Sequence, residues 1–151
     1  MIFVTVGTAH YNPLIEEMDR LVETGVITDT VIAQIGRGSY VPKHFKSFRF
    51  IRSLNRAYEK AEVIVSTGGA GTTIECVTQG LKLVVVENTT LMEGHQSQLI
   101  GAMSKRKHLT WCRDLKNLPE CISKSKKSEF SIFVSDPPKA HLLIQELLKR
   151  E

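Results

Sequence analysis

A glycine-rich stretch followed by a carboxylate is the part of this sequence best suited to chemistry. Residues 65–75 read VSTGGAGTTIE, an apolar run that passes through Gly68, Gly69 and Gly71 and reaches Glu75. Glycines let the main chain adopt positive φ and approach a ligand closely, and a helix that starts behind them offers unpaired N–H donors. The pattern favours binding of a phosphate or diphosphate. The alternative is a purely structural tight turn.

Two familiar phosphate-binding loops do not fit this stretch. The Walker A pattern needs a lysine after its last glycine, whereas Gly71 is followed by two threonines. The dinucleotide fingerprint matches Gly69-x-Gly71 and finds an acid at Glu87, but its third glycine position is Ile74. That fingerprint also normally lies in the first βα turn. A P-loop is therefore excluded, and NAD binding is not favoured.

Glu75 has two interpretations. Thr72-x-x-Glu75 is a capping box by sequence, in which the carboxylate turns back to the amide at the start of its own helix. If the helix starts nearer Ala70, Glu75 lies about one turn inside it, where it can accept both hydroxyls of a ribose whose diphosphate rests on the helix start. The pattern alone does not decide between them.

Cysteines and histidines give no sign of a metal site or a disulfide framework. The three cysteines are odd in number and form no C-x-x-C pair, so we expect buried thiols at Cys76, Cys112 and Cys121. The five histidines show no paired ligand spacing, and no D-x-D is present.

The elements that must position these residues alternate between short apolar strands and amphipathic helices. Predicted strands cover residues 2–6, 30–35, 48–51, 62–66 and 83–87, with a short one at 108–111. Predicted helices run from Pro13 to Gly25 and over 53–60, 71–79, 93–104, 114–123 and 137–150. Strands apolar along their whole length are covered on both faces, which predicts an α/β fold: a Rossmann-like, doubly wound, mainly parallel sheet in one domain, residues 1–151.

In such a fold, ligands bind beyond the carboxyl ends of the strands. The loops expected to line this rim are 7–12, 36–46, 66–71 and 88–95. The polar stretch KSKKSE, residues 124–129, is predicted to be a surface loop.

Composition and charge narrow the class of protein. The 151 residues are 42% hydrophobic and 24% charged, as in one folded domain. No apolar run is long enough to span a bilayer and no signal peptide is evident, so a cytoplasmic protein is expected. The net charge of +4 is concentrated after Lys105, and a second basic stretch runs from Arg37 to Arg56. Such charge favours an anionic partner, but nucleic acid ranks last because no aromatic platform accompanies it.

Several segments together resemble a known family. VTVGTAHYNPL near the N-terminus, FIRSLNRAYEKAEVIVSTGGAGTTIE from Phe50, LKLVVVEN and GHQSQL are similar to the nucleotide-sugar-binding C-terminal half of glycosyltransferase family 28, over about residues 1–110. Within that family the chain most resembles the small catalytic subunits of two-component UDP-GlcNAc transferases of dolichol-linked oligosaccharide synthesis and their bacterial exopolysaccharide counterparts. The resemblance implies one half of a GT-B enzyme that transfers GlcNAc from UDP-GlcNAc, with inversion, to a lipid-diphosphate-linked sugar.

The resemblance also implies which residues bind the donor. Gly69, Ala70, Gly71 and Thr72 would present the helix start to the diphosphate, and Glu75 would hold the ribose hydroxyls. Phe50 and Ile51 would lie against the uracil ring, unless they are simply core strand residues. His95, Gln96 and Gln98 would hydrogen-bond the sugar or its phosphate, although a histidine at a helix start is often only a polar surface residue. Gly7 and Thr8 would face the donor cleft near the acceptor.

The resemblance further implies a partner and no metal or other cofactor. The acceptor site and the catalytic base commonly come from the other half of such enzymes, so no residue here is assigned as catalytic. We expect a membrane-anchored subunit that recruits this chain peripherally to the bilayer, with the helix at 137–150 and the basic last third as docking surfaces. Members often carry a histidine where this chain has Thr67, followed here by Gly68, which leaves a non-catalytic nucleotide-sugar-binding or regulatory module as the alternative.

Overall fold

The computed structural model describes residues 1–87 and 94–133, which form a single sheet with helices on both faces. The strands are β1 Ile2–Thr5, β2 Val31–Gln34, β3 Lys46–Phe48, β4 Val63–Ser66, β5 Leu83–Val86 and β6 Thr110–Cys112. The helices are α1 Asn12–Glu23, α2 Asn55–Lys60, α3 Ala70–Thr78, α4 Gly94–Lys105 and α5 Leu118–Lys127, with a 3₁₀ turn at Leu115–Asn117.

All five strand pairings are parallel, and the strand order is β3-β2-β1-β4-β5-β6. Ile2 pairs with Val31 on one side and with Val63 on the other, so β1 lies at the centre. The order reverses between β1 and β4, and a crevice for ligands opens at such a reversal, beyond the carboxyl ends of the strands. The Rossmann-like prediction is confirmed.

The apolar strands are buried on both faces because alternate residues enter two separate cores. Ile2 and Val4 of β1 lie in the core beneath α1 and α5, whereas Phe3 between them lies in the core beneath α2, α3 and α4. The same alternation holds in β4, where Ile64 joins the second core. Side chains of successive strand residues point to opposite faces, so both faces must be covered.

Two predicted elements differ from the structure. The third strand is Lys46–Phe48 and not 48–51, so Phe50 and Ile51 follow it in the loop beyond its carboxyl end. The predicted loop 124–129 is wrong over Lys124–Lys127, which forms the last turn of α5. Buried Ile122 and Ser125 on one face of α5 extend the helix through this polar stretch. The predicted helix at 137–150 lies outside the described residues.

Candidate functional site

Three glycine turns lie side by side at the carboxyl edge of the sheet. Gly7, Gly36 and Gly68 follow β1, β2 and β4, with φ of +67°, +56° and +85°. This left-handed region is costly for residues with a Cβ atom, so glycine is needed at each turn. In the sequence comparison, Thr67 followed by Gly68 differs from the pattern that the chain resembles. The positive φ of Gly68 explains why a glycine stands at this position.

The start of α3 presents unpaired donors at the switch point between β1 and β4. Gly69 is the N-cap, with no side-chain hydrogen bond, and its carbonyl accepts the N–H of Thr73 at 3.0 Å as the first intrahelical bond. The N–H groups of Ala70, Gly71 and Thr72 therefore have no acceptor within the helix. Such a helix start favours an anion, and diphosphate binding by these residues stays a prediction.

Gly71 is a glycine that the chain itself does not need. A Cβ atom built there meets no atom within 4 Å, and its φ is not positive. Glycine inside a helix costs about 0.8–1.0 kcal/mol relative to alanine. An exposed helical glycine with open space around it is consistent with close approach of a ligand to the backbone.

Glu75 does not form the capping box. Because α3 starts at Ala70, Thr72 is the third helical residue and cannot be the N-cap. The Glu75 carboxylate instead accepts a hydrogen bond from the hydroxyl of Tyr58 on α2, with 2.8 Å between Tyr58 Oη and Glu75 Oε2. Glu75 is exposed about one and a half turns inside the helix, which leaves the carboxylate accessible to a ligand.

The turn after β1 is held in place by the buried hydroxyl of Thr5, the last residue of that strand. Thr5 Oγ1 donates to Gln34 Oε1 at 2.6 Å and accepts the N–H of Gly7 at 3.0 Å. Because Gln34 is the last residue of β2 and Gly7 lies in the turn after β1, this network holds the Gly7 turn against β2. Thr8, the other residue assigned to this loop, is exposed at the rim.

Arg49 fastens the loop after β2 to the segment that carries Phe50. Its Nη1 donates to the carbonyl oxygens of Gly36 at 3.0 Å and Gly38 at 2.7 Å. The same loop contacts the β1 loop closely, since Arg37 N–H donates to Ala9 O at 3.0 Å and a Cβ atom on Gly36 would lie 2.2 Å from Ala9 O. Three neighbouring loops at this edge are thus tied together.

Phe50 and Ile51 are not core strand residues. They are 53% and 55% exposed, beyond the end of β3. Adjacent large apolar side chains at the ligand rim are available for contact with a flat apolar group such as a base. Contact with uracil stays a prediction for both residues.

Asp19 anchors the segment 40–44 to α1. This carboxylate is 2% exposed and accepts hydrogen bonds from the Tyr40 hydroxyl at 2.6 Å and from the N–H groups of Lys43 and His44 at 3.0 and 2.9 Å, and His44 Nδ1 lies 3.0 Å from it. Burial opposes ionisation, but these hydrogen bonds outweigh it and hold the pKa of Asp19 below its usual value. The Tyr40 hydroxyl, bonded to that carboxylate, has its pKa raised to about 12.

The last group of predicted residues lies at the start of α4. This helix begins at Gly94, which places His95, Gln96 and Gln98 in its first turns at the same edge of the sheet as α3. Gln98 is exposed. Residues 88–93, which belong to the predicted rim loop, lie outside the described residues. Glu87 accepts a hydrogen bond from Ser97 Oγ at 3.3 Å, so the acid noted in the dinucleotide comparison contacts α4.

Cys76 and Cys112 are buried and Cys121 is partly buried, as expected. Burial raises the pKa of the Cys76 thiol to about 12, and burial together with a hydrogen bond to Cys121 does the same for Cys112. Within residues 1–87 and 94–133, no group of three or more His, Cys, Asp or Glu side chains could hold a metal ion. None of the helices in that part of the chain is long and apolar enough to cross a membrane.

Sequence reasoning missed three residues that shape this site: Tyr58, Arg49 and Asp19. Tyr58 and Glu75 are 17 positions apart on different helices, and nothing in the sequence pairs them. In the sequence, Arg49 is one of several residues in the basic stretch from Arg37 to Arg56, and nothing there indicates its bonds to Gly36 and Gly38. Asp19 lies between Met18 and Arg20 in an amphipathic helix, and a single acid there is usually solvated.

The parallel sheet, its reversal between β1 and β4, and a helix start whose first N–H groups have no acceptor within the helix define a Rossmann-like domain. The chain belongs to glycosyltransferase family 28: the model of that family's C-terminal domain matches residues 1–137. The recognition made from the sequence is thereby confirmed.

Comparison with known proteins agrees with this assignment. Over 124 residues, 74% of this chain, it is 35% identical to the UDP-N-acetylglucosamine transferase subunit ALG13 of Homo sapiens, but it spans only 11% of that protein's length. Among solved structures, MurG of Acinetobacter baumannii gives a TM-score of 0.65 at 17% identity over 99% of this chain and 44% of that one. The NMR structure of ALG13 gives 0.62 at 19% identity over 96% and 94%. These structures support the fold alone.

Proposed function

We propose that this chain is the nucleotide-sugar-binding subunit of an inverting, UDP-GlcNAc-dependent glycosyltransferase that adds GlcNAc to a lipid-diphosphate-linked sugar. The observation that carries the proposal is the exposed start of α3, where three N–H groups without helical acceptors follow a glycine turn and Glu75 is held away from its own helix cap. The name of the human relative, a UDP-N-acetylglucosamine transferase subunit, supports the choice of donor.

Each part of the donor has a matching group in the described residues. The diphosphate would rest on the N–H groups of Ala70, Gly71 and Thr72, and the ribose hydroxyls would bond the Glu75 carboxylate. The uracil ring would lie against Phe50 and Ile51, whose exposed side chains stand beyond β3. His95, Gln96 and Gln98 at the start of α4 would reach the sugar or its phosphate, and Gly7 and Thr8 would face the acceptor side.

The proposed reaction is a direct displacement at the anomeric carbon. The acceptor hydroxyl oxygen forms a bond to that carbon as the bond to the UDP oxygen breaks, which inverts the configuration. The hydroxyl proton passes to a base within hydrogen-bond reach, which we assign to a partner subunit. The charge that develops on the departing diphosphate is stabilised by the start of α3, so we propose that no metal ion takes part and that EDTA leaves turnover unchanged.

The partner in this proposal is a membrane-anchored subunit that binds the acceptor. The described residues form one Rossmann-like half, and a cleft between two halves needs a second. The chain is then a cytoplasmic protein recruited peripherally to the bilayer by its partner. We propose residues 137–150, whose sequence repeats apolar residues at helical spacing and contains basic residues, as the segment that docks it.

Binding heats of the purified chain with UDP-GlcNAc, UDP-glucose and ADP-glucose test the donor assignment. We expect both UDP-sugars to bind and UDP-GlcNAc to bind most tightly, because the ribose and diphosphate contacts are common to them and the sugar contacts are not. A preference for the adenine nucleotide would contradict the proposal.

A second function, a nucleotide-sugar-binding module without catalysis, is favoured by one feature. Thr67 stands where family members often carry a histidine, so any contribution of that imidazole to catalysis or phosphate binding is absent at this position. Turnover separates the two functions: the chain is mixed with its membrane partner, UDP-GlcNAc and a short-chain diphospholipid-linked GlcNAc, and transfer is measured. Binding without transfer in this mixture would favour the non-catalytic module.

A further inference from the structure

Tyr58 joins the hydrophobic core to the exposed carboxylate of the candidate site. The residue is 2% exposed, and its ring lies edge-on to Phe3 of the central strand, with 6.2 Å between ring centroids and 70° between ring planes. Its hydroxyl reaches out of this core to Glu75, at 2.8 Å. The ring of Tyr58 is thus held in the core, while its hydroxyl lies at the rim of the candidate site.

A fixed phenol restricts a flexible acid. An exposed glutamate side chain has several rotatable bonds and populates several rotamers. Fixing it in one rotamer on binding costs entropy, which lowers the affinity for the ligand. Burial raises the pKa of Tyr58, the hydrogen bond to Glu75 raises it further, and a hydrogen bond from Thr72 lowers it in part. The phenol therefore remains a proton donor at neutral pH, and it can hold one carboxylate oxygen while the other stays available.

The simplest competing explanation is structural: a buried tyrosine hydroxyl needs an acceptor, and Glu75 happens to supply it. Phenylalanine would avoid that need and would keep the contact with Phe3. The presence of a hydroxyl that leads to an exposed acid, at the ligand edge of the sheet, favours a role in orienting the acid.

We propose that Tyr58 is a positioning residue that orients Glu75 to accept the ribose hydroxyls of the donor nucleotide. This inference rests on the proposed function and adds to it a residue outside the ligand contacts. Tyr58 touches no ligand in this proposal and acts on the ribose through Glu75; the side chain of Thr72, which also bonds Tyr58, makes no proposed ligand contact, since the diphosphate would bond the Thr72 N–H. Removal of Tyr58 must therefore weaken only those ligands that carry ribose hydroxyls.

The test compares two ligands on the full chain with Tyr58→Phe. For this variant we expect UDP to bind about three- to tenfold more weakly, which is the effect of losing one orienting hydrogen bond, and 2′,3′-dideoxy-UDP to bind as it does to the wild type. Glu75→Gln should lose the preference for UDP over the dideoxy ligand, and Tyr58→Phe added to Glu75→Gln should have no further effect, because the two residues act as one unit. Calorimetry supplies the dissociation constants.

Two further variants make the result independent of folding defects. Ile64→Val removes a methylene from the core that contains Tyr58, so it should lower stability while leaving both affinities unchanged. Glu75→Asp keeps a carboxylate at an exposed position but shortens its reach to Tyr58, and it should lose the ribose preference even if Tyr58→Phe fails to fold.

The outcomes are distinguishable. Equal weakening of both ligands by Tyr58→Phe, or an unchanged preference for UDP, would overturn the inference and leave the proposed function standing. If the wild-type chain binds UDP without preferring it to the dideoxy ligand, the role of Glu75 fails and the role of Tyr58 with it. If the wild-type chain does not bind UDP, the proposed function fails and so does the inference.

Discussion

At the scale of single residues, the glycines of this chain serve different purposes. Gly36 and Gly68 are required by their own backbone, because both have positive φ and Gly36 also lies against Ala9 O. Gly71 has neither constraint. A residue that the fold does not require and that weakens its helix is best explained by what must approach it.

Replacing Gly71 by alanine tests this explanation directly. We expect Gly71→Ala to raise the free energy of unfolding by up to about 1 kcal/mol, because alanine favours the helix and its Cβ meets no neighbour. We expect the same variant to bind UDP at least tenfold more weakly, since the methyl group occupies the space next to the helix start. Chemical denaturation and calorimetry measure the two effects.

Gly101 offers a matched control in another helix. Its Cβ would lie 3.1 Å from Cζ3 of Trp111, so Gly101→Ala should not gain the same stability and should leave UDP affinity unchanged. A Gly71→Ala variant that binds UDP normally would show that no ligand approaches this glycine.

At the scale of elements, two side chains position the loops between β2 and α2. Asp19 on α1 holds the segment 40–44, and Arg49 holds Gly36 and Gly38. Both side chains carry a charge and hydrogen-bond backbone groups of a loop that would otherwise bond to water. Hydrogen bonds to charged groups are among the stronger ones in proteins. The rim is therefore shaped by contacts between elements that are distant in sequence.

The Asp19 contacts predict a pH-dependent loss of stability. Because the folded-state pKa of Asp19 is lowered, its contribution is present above the unfolded value near 4 and is lost as the pH falls through the folded value. We expect Asp19→Asn to lower the free energy of unfolding by about 2 kcal/mol at pH 7 and by less at pH 3. Urea unfolding at the two pH values measures this.

Glu17→Gln, which removes an exposed ion pair with Arg20, is the control and should change stability by less than about 0.5 kcal/mol. An Asp19→Asn deficit that is equal at both pH values would contradict the prediction.

Arg49 can be tested against a neighbour of the same type. Arg49→Ala removes two hydrogen bonds to loop carbonyls, so we expect a loss of about 1–2 kcal/mol of stability and faster amide hydrogen exchange in residues 36–38. Arg52→Ala, at an exposed position in the same basic stretch, should have little effect on either. Equal effects of the two variants would show that charge, and not the loop contact, is what matters.

At the scale of the whole molecule, one basic cluster, Lys105 to Lys107, and the candidate site lie at opposite edges of the sheet. Lys105, Arg106 and Lys107 are exposed where α4 ends, and helices of a parallel sheet end at the edge where the strands begin. The glycine turns and the start of α3 lie at the other edge. A 12-residue helix separates the two edges by about 18 Å, which exceeds the screening length of roughly 8 Å at physiological salt.

The separation predicts that this basic cluster does not serve donor binding. Replacing Lys105, Arg106 and Lys107 together by glutamine should leave the affinity for UDP within twofold of the wild type. Titration at low and at physiological salt measures it, since any long-range attraction would appear only at low salt. A large loss of affinity at physiological salt would mean that these residues reach the ligand.

The sequence by itself determined the fold class and the family, while anion binding by the glycine stretch stays a prediction. Strand and helix periods, the apolar strands covered on both faces and the turn residues are local signals, and each is carried by neighbouring positions. They sufficed to predict the alternation of elements and the helix over 71–79, whereas the family followed from the resemblance of several segments to its members.

Only the tertiary structure decided between the two interpretations of Glu75. The pattern Thr72-x-x-Glu75 fits a capping box with Thr72 as the N-cap, but the N-cap of α3 is Gly69, three residues earlier, and the carboxylate accepts a hydrogen bond from Tyr58 instead. The tertiary structure also places Phe50 and Ile51 in an exposed loop, where the sequence predicted a strand. These outcomes depend on which residues of distant elements meet, and since side chains 17 or more positions apart leave no periodic signal, they follow only from the packed chain.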